Sequence, residues 1–155
     1  MKRLIITLAV TTLLLFLAGC GGGGAATTPA STTTSTQMPG TEVKLASGSY
    51  WTITPPQLAA MNPADYLLVN VDETPMLVIG GTELFVKAAE VTQNLSKFPA
   101  DKNARIVVYC VAGVTSKSAA EQLVAAGYTR VMHLDGGTMR WQMMGYPVQS
   151  YTTAP

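Results

Sequence analysis

Cys110 is the side chain of this sequence best placed for covalent chemistry. It follows the apolar segment 106–109, and residues 111–115, with Gly113 among them, form a short loop before a predicted helix. In open α/β sheets ligands bind at the carboxyl ends of strands, and a loop before a helix N-terminus turns backbone N–H groups toward such a site. These donors stabilise an anion on sulfur, which suits a nucleophile or a carrier of sulfur. A cysteine that only completes a buried strand is the alternative interpretation.

The other cysteine, Cys20, lies in a different context. Lys2 and Arg3 precede a long apolar run, and Leu17-Ala18-Gly19-Cys20 ends it. This layout is typical of a secretory signal, because the run is shorter than the roughly 20 residues that span a bilayer. Its end resembles the lipobox of bacterial lipoproteins, in which the cysteine is acylated and becomes the first mature residue. An uncleaved anchor, or a secreted protein with a chance cysteine, is the alternative.

The lipobox resemblance divides the chain into three parts. We predict a lipoprotein signal peptide over residues 1–19, the lipidated Cys20 with a flexible tether over 20–45, and a folded domain over 46–155. The tether prediction rests on composition, because residues 21–41 carry no charged or aromatic side chain and are rich in Gly, Thr, Ser and Pro. We therefore expect a protein of the bacterial cell envelope, lipid-anchored on the periplasmic side of the inner or outer membrane.

Net charge excludes one class of partner. The formal charge of the chain is +1 at pH 7, and loss of Lys2 and Arg3 with the signal leaves eight basic against nine acidic residues. Without a basic surface, a nucleic-acid partner is not expected. Acylation of Cys20 would leave Cys110 as the one free thiol, which is a liability in an oxidising compartment unless it is buried or used.

Strands alternate with helices in the part of the chain that must position Cys110. The apolar runs 66–71, 106–109 and 131–134 are typical of strands covered on both faces, and segment 49–53 is rich in β-forming residues. Helices are predicted near 55–61, 89–98 and 116–126, with a last short one that carries Trp141. This alternation predicts an α/β fold with a mostly parallel sheet.

Four segments of the predicted domain together form a recognisable pattern. They are Tyr109-Cys110 with its Gly-containing loop; Leu134-Asp135-Gly136-Gly137 followed by Trp141, Gly145, Pro147 and Val148; Ile79-Gly80-Gly81-Thr82; and Phe98-Pro99-Ala100-Asp101-Lys102. In these segments the chain resembles the rhodanese family, over about 50–148. The resemblance implies a small, mostly parallel five-stranded α/β sheet with helices on both faces.

The resemblance also implies a chemistry for Cys110. In the family the loop cysteine carries a persulfide, and sulfane sulfur passes from a donor such as thiosulfate or polysulfide to a thiol or cyanide-like acceptor. The outer sulfur would be bound by the backbone N–H groups of Val111, Ala112, Gly113, Val114, Thr115 and Ser116. Lys117 is the nearest candidate cation, or else a solvated surface lysine. This chemistry uses neither a cofactor nor a metal, and we predict none.

Several positions depart from the family pattern. Active loops usually carry Arg directly after the cysteine and often again near the loop's end, where this chain has Val111 and Thr115. The family's Asp-Val-Arg motif reads Asn70-Val71-Asp72 here. A loop without a cation predicts weak activity toward thiosulfate and a preference for less charged donors such as polysulfide. The alternative is a rhodanese-fold binding module, with little or no activity, for a periplasmic protein partner.

The same fold hosts Cys-x5-Arg phosphatases and arsenate reductases, but Ser116 occupies the arginine position, so that chemistry is not expected. The single histidine, His133, is interpreted as a packing or edge residue of its strand. Four methionines near it are interpreted as core residues, because no close spacing of Met and His indicates a copper site. They are Met132, Met139, Met143 and Met144.

Overall fold

The computed structural model describes residues 37–152. Cys20, the predicted signal peptide and most of the predicted tether lie outside the described residues. The strands of the described part are β1 Thr41–Leu45, β2 Gly48–Ile53, β3 Leu67–Asn70, β4 Leu77–Ile79, β5 Leu84–Phe85, β6 Ile106–Tyr109, β7 Val131–Leu134 and β8 Val148–Ser150. The α-helices of this part are α1 Pro55–Ala59, α2 Val114–Ala125 and α3 Gly137–Met143, with 3₁₀ turns at Pro63–Asp65, Ala88–Glu90 and Thr92–Lys97.

Six strands of the described region form one main sheet, in the order β1-β2-β7-β6-β3-β5. All neighbours in it are parallel except the hairpin of β1 and β2, while β4 and β8 form a separate antiparallel pair. The mostly parallel α/β fold predicted from the alternation of elements is therefore confirmed. The carboxyl ends of β3, β6 and β7 lie side by side, which brings the residues after each strand together at one edge.

The extra strand corrects the predicted boundary at residue 46. Thr41–Leu45, assigned to the tether, pairs with β2 from Thr41↔Thr52 to Leu45↔Gly48, and it makes the main sheet six-stranded rather than five-stranded. Val43 and Leu45 alternate with polar residues and pack against the core, and Met38 is buried still earlier in the chain. The folded domain therefore begins before residue 46, because the period-2 pattern of this short segment finds a partner strand.

Helices cover both faces of the sheet, as expected. In β6, Ile106 and Val108 belong to the core cluster on the α2 face, while Val107 and Tyr109 belong to the cluster that contains Trp141 of α3. This alternation follows from the two-residue period of a strand. It also determines that Cys110, the next residue, points to the α2 face.

The helix predicted over 89–98 is wrong in type. The structure has 3₁₀ turns at Ala88–Glu90 and Thr92–Lys97, with a non-helical backbone at Asn94. The side-chain amide of Asn94 donates to the Glu90 carbonyl oxygen, a bond that competes with the regular helical pattern.

Within residues 37–152, none of the helices has the length and apolar character needed to cross a membrane.

Candidate active site

Cys110 lies at the carboxyl end of β6, in the middle of the main sheet, and only 3% of its surface is exposed. It is a free cysteine. Three groups contact its sulfur: the Gly113 N–H at 3.1 Å, the Ser116 N–H at 3.4 Å and the Ser116 hydroxyl at 3.5 Å. One N–H group of the loop, that of Gly113, and one of the first turn of α2, that of Ser116, therefore point at the sulfur.

Hydrogen bonds outweigh burial in setting the charge of this sulfur. Burial raises the pKa of the Cys110 thiol, while the hydroxyls of Ser116 and Thr115 and the N–H groups of Ser116 and Gly113 lower it. The net pKa lies below the ordinary value of a cysteine. Because the thiolate is the nucleophilic form, this surrounding favours reaction at Cys110.

Two glycines allow the loop its shape. Gly113 has φ +82°, in the left-handed region, at the position that precedes α2. Gly137 has φ +56°, and a Cβ atom on it would overlap the carbonyl oxygen of Cys110. This close approach lets the N–H groups of Thr138 and Met139 bind the carbonyls of Cys110 and Val111, both at 3.0 Å. These two bonds fix the start of the loop against α3, and the N–H groups of Gly113 and Ser116 face the sulfur.

The Val111 N–H, one of the predicted donors to the outer sulfur, has a different acceptor in the structure. It donates at 2.9 Å to the carboxylate of Asp72, which follows β3. Asp72 is held in turn by Asn70, whose amide donates to Asp72 Oδ2 at 3.1 Å and accepts from the Asp72 N–H at 2.9 Å. The altered Asn70-Val71-Asp72 motif thus forms an amide–carboxylate pair that fixes the start of the loop.

His133 is buried, as the interpretation as a packing residue predicts, but it is not an edge residue. It lies in β7, an interior strand of the main sheet, so only the edge interpretation is wrong. The ring is buried, and its Nδ1 lies 2.9 Å from Ser116 Oγ. Ser116 therefore contacts both the reactive sulfur and the one histidine of the chain.

Clefts of different character border the cysteine loop, and one of them is apolar. Val111 is 39% exposed and lines a cleft of about 230 Å³ with Met76 and Met139. A different cleft, of about 410 Å³, is lined by Ala112, Gly113, Val114 and Lys117, together with Tyr50, His133 and Asp135. A third cleft, of about 500 Å³, includes Asp72 but none of residues 110–116. The two smaller clefts are therefore the ones that border the cysteine loop.

The structure brings most of the predicted site residues together at one end of the sheet. The thiol pKa of Cys110 is lowered by hydrogen bonds from Gly113, Thr115 and Ser116. The cleft of about 410 Å³ is lined by Ala112, Val114 and Lys117. The Val111 N–H binds Asp72, and its side chain lines the apolar cleft. Sequence reasoning missed Asp72 and His133 as parts of the site. The available signals were a polar residue directly after a buried strand, and a polar residue two positions after Val131 on the same strand face.

Known proteins share this arrangement of sequence and fold. Residues 69–144 match the family described as rhodanese-like domain. A sulfurtransferase of Allochromatium vinosum is 33% identical over 89 residues, which cover 54% of this chain and 78% of that protein. A protein of Synechocystis described as uncharacterized is 30% identical over 106 residues, or 67% of this chain, and the match spans only 59% of that protein.

A solved structure gives the same result for the fold. The crystal structure of a rhodanese-related protein from Thermoplasma volcanium is similar with a TM-score of 0.55 and 25% identity, over 63% of this chain and 96% of that one. The strand-end cysteine with its N–H donors, the mostly parallel sheet and the sulfurtransferase among the relatives agree with one another. The chain therefore belongs to the rhodanese-like domain family.

Proposed function

We propose that this protein transfers or carries sulfane sulfur as a persulfide on Cys110. The observation that supports the proposal is the set of hydrogen bonds that Gly113 and Ser116 make to the Cys110 sulfur, which lower the thiol pKa. The Cys110 thiolate attacks the sulfane sulfur of the donor, forms a new S–S bond and breaks the donor's own bond to that sulfur. The leaving group departs with the electron pair of the broken bond.

In the second half of the cycle an acceptor thiolate attacks the outer sulfur of the Cys110 persulfide. The S–S bond of the persulfide breaks, the outer sulfur leaves on the acceptor, and Cys110 returns as the thiolate. The Gly113 and Ser116 N–H groups stabilise the sulfur anion at the start and the end of this cycle, since hydrogen bonds to a charged acceptor are the strong ones.

We propose polysulfide, rather than thiosulfate, as the better donor. Val111 occupies the family's arginine position, the Asp72 carboxylate accepts from its N–H group, and Met76 and Met139 flank it. A carboxylate repels the sulfonate end of thiosulfate, and the neighbouring apolar cleft cannot solvate it. A hydropolysulfide carries a single negative charge, on a terminal sulfur, and its uncharged inner sulfur atoms fit this apolar surface better.

The test is the mass of the intact full chain after exposure to polysulfide or thiosulfate. We expect addition of sulfur to the wild type from polysulfide, less from thiosulfate, and release of the added sulfur by cyanide. Cys20→Ser is the matched control, because it removes the other cysteine and leaves Cys110. Absence of added sulfur on the wild type, or equal addition to Cys110→Ser, contradicts the proposal.

We also propose that Cys20 is acylated and anchors the protein in the bacterial cell envelope, on the periplasmic side. The support is the sequence Leu17-Ala18-Gly19-Cys20 after an apolar run with two preceding basic residues. Fractionation of cells that express the full chain tests this. Wild type in the membrane fraction and Cys20→Ser outside it is the expected result, and equal distribution of the two overturns the anchor.

A binding module without catalysis is the second candidate. It is favoured by the burial of Cys110, which limits access to the sulfur, and by the replacement of both family arginines. The measured pKa of the Cys110 thiol separates the two candidates. A value clearly below about 8.5, the ordinary cysteine value, supports catalysis, and a value at or above it supports the binding module.

A further inference from the structure

A chain of side-chain contacts leads away from the buried sulfur. Ser116 Oγ lies 3.5 Å from Cys110 Sγ and 2.9 Å from His133 Nδ1. The exposed fractions of Ser116 and His133 are 0% and 5%, so water competes little for these bonds. Inside a protein such linked hydrogen bonds polarise one another, and a change at one end is felt at the other.

The surroundings of the ring keep it neutral. Burial lowers the pKa of His133, Asp135 raises it and Lys117 lowers it, with a net shift below the ordinary value. The ring of Tyr50, on the neighbouring strand β2, packs edge-on against the imidazole, with 6.3 Å between the ring centroids. A neutral imidazole carries its proton on one nitrogen only, so Nδ1 can either accept from Ser116 or donate to it.

We propose that His133 is a positioning residue that stabilises the Cys110 thiolate through Ser116. This inference rests on the proposed function in one respect, that Cys110 reacts as a thiolate. In the thiol form, Cys110 S–H donates to Ser116 Oγ, and the Ser116 hydroxyl donates to His133 Nδ1. In the thiolate form, His133 Nδ1–H donates to Ser116 Oγ, and the Ser116 hydroxyl donates to the sulfur.

The exchange between these forms balances in protons. The thiol proton moves to Ser116 Oγ, the Ser116 hydroxyl proton moves to His133 Nδ1, and the Nε2 proton of the ring passes to water. One proton leaves the protein, nothing is oxidised, and the ring remains neutral in both forms. The open cleft of about 410 Å³ that His133 lines with Lys117 and Asp135 provides that water.

The orientation of the serine hydroxyl is the feature that His133 controls. A hydroxyl has one proton, so Ser116 can donate to the sulfur only when it does not donate to His133 Nδ1. An apolar side chain at 133 would leave Ser116 Oγ without its second partner. The sulfur and Ser116 would then share a single unsupported hydrogen bond, and the thiolate would be less stable.

The test measures the pH profile of Cys110 alkylation by iodoacetamide in the full chain, with the modified cysteine identified by peptide mass. His133→Leu should raise the apparent thiol pKa by about one unit, and thereby slow alkylation near neutral pH about tenfold. His133→Asn places an amide donor near the position of Nδ1, so it should restore most of the wild-type profile. Met132→Leu is the matched control, since it changes the adjacent residue of β7 on the opposite face of the sheet and leaves the Ser116 bonds in place, so it should keep the wild-type profile.

A double-mutant cycle separates a role through Ser116 from a separate effect. Ser116→Ala alone should raise the thiol pKa, and His133→Leu added to it should raise the pKa no further. An unchanged profile in His133→Leu, or equal effects of His133→Leu with and without Ser116, overturns the proposal. Melting temperatures confirm that each variant is folded. If His133→Leu does not fold, the apparent thiol pKa of Ser116→Ala is compared with that of His133→Asn instead.

Failure of this proposal and failure of sulfur transfer give different results. Alkylation reports only the thiolate, whereas the mass of the polysulfide-treated chain reports the persulfide. Wild type that takes up no sulfur, together with a raised thiol pKa in His133→Leu, contradicts the proposed function and supports the role of His133. Sulfur uptake with an unchanged pKa in His133→Leu does the reverse.

Discussion

The two sides of the cysteine loop are built from different kinds of residue. The inner side, formed by Gly113, Ser116 and His133, directs hydrogen-bond donors to or toward the sulfur within the core. The outer side, formed by Val111, Asp72 and Met139, presents apolar surface and a carboxylate to solvent. The chain departs from the family's arginine pattern on the outer side and retains a thiolate-stabilising loop on the inner side.

This difference separates two tasks of the proposed sulfur transfer, ionisation of Cys110 and choice of donor. The inner side determines whether Cys110 is ionised, because its hydrogen bonds lower the thiol pKa. We propose that the outer side selects the donor, because Val111 is exposed beside Cys110 and the Asp72 carboxylate binds its N–H group. A change on one side should therefore alter ionisation with little effect on donor preference, and a change on the other side should do the opposite.

The largest expected effect comes from a change that disturbs both sides together. Gly137→Ala places a Cβ atom against the Cys110 carbonyl oxygen and puts alanine at φ +56°, so the loop must move. We expect the free energy of unfolding to fall by more than about 2 kcal/mol, because the left-handed conformation alone costs about 1–2 kcal/mol. Urea unfolding measures the loss, and iodoacetamide should report a raised thiol pKa.

Gly145→Ala is the control for Gly137→Ala. Gly145 also has a positive φ, +83°, but a Cβ atom there has no neighbour within 4 Å. It should lose only the conformational part of the stability and keep the wild-type thiol pKa. An equal decrease in the free energy of unfolding in the two variants would show that the close approach of Gly137 to the loop contributes nothing to stability.

Restoring a cation on the outer side should give the next largest effect. Val111→Arg should speed sulfur uptake from thiosulfate about tenfold or more, since a hydrogen bond to a charged group contributes about 1.5–3 kcal/mol. The thiol pKa should change less than the donor preference, because the inner hydrogen bonds remain. The ratio of initial rates with thiosulfate and polysulfide is the measurement.

Val111→Gln controls for size and polarity without adding charge. It should leave the ratio of the two rates close to that of the wild type. If the glutamine and arginine variants gain equally, the outer side does not select donors by charge, and the apolar character of Val111 alone limits thiosulfate.

The inner side could be predicted from the sequence only in part. The strand 106–109 and the short loop after it are a local pattern, so Cys110, Gly113 and Ser116 could be located from residue types alone. His133 reaches Ser116 because β6 and β7 pair in parallel with Val108 opposite His133. That register depends on the packing of the whole sheet, and a single strand's pattern does not contain it.

The outer side was less predictable for the same reason. Asp72 and Val111 are 39 residues apart, and their hydrogen bond exists because β3 and β6 end side by side.

β1 was missed on composition, because Thr41–Leu45 directly follows a charge-free segment rich in Gly, Thr and Ser. Its alternation of polar and apolar residues is too short to indicate a strand until β2 supplies a partner.

A smaller effect is expected on the inner side in acid. The folded-state pKa of His133 lies below its ordinary value of 6.5, so the unfolded chain takes up a proton first as the pH falls. The contribution of neutral His133 is therefore complete above pH 6.5 and is lost as the pH falls toward the folded pKa, by at most about 1.4 kcal/mol per pH unit.

His133→Asn supplies the reference for this effect, because asparagine does not titrate. Urea unfolding of both proteins at several pH values should show the wild type losing stability relative to the variant below pH 6.5. Parallel curves would mean that His133 titrates alike in the folded and unfolded chains, which contradicts its burial in the core.

The smallest expected effect distinguishes the two sides without any substitution. In the proposed function thiosulfate approaches the Cys110 thiolate beside Val111, whose N–H group binds the Asp72 carboxylate, so charges of the same sign meet on the outer side. Added salt screens this repulsion, and sulfur uptake from thiosulfate should rise roughly twofold to threefold between about 10 and about 150 mM salt. Alkylation by iodoacetamide, which is neutral, should change little over the same range, because it reports the inner side.

In Val111→Arg the salt dependence of the thiosulfate reaction should flatten or reverse. A thiosulfate rate that falls with salt in the wild type would mean that a cation attracts the donor, and the assignment of donor choice to Val111 and Asp72 would be wrong.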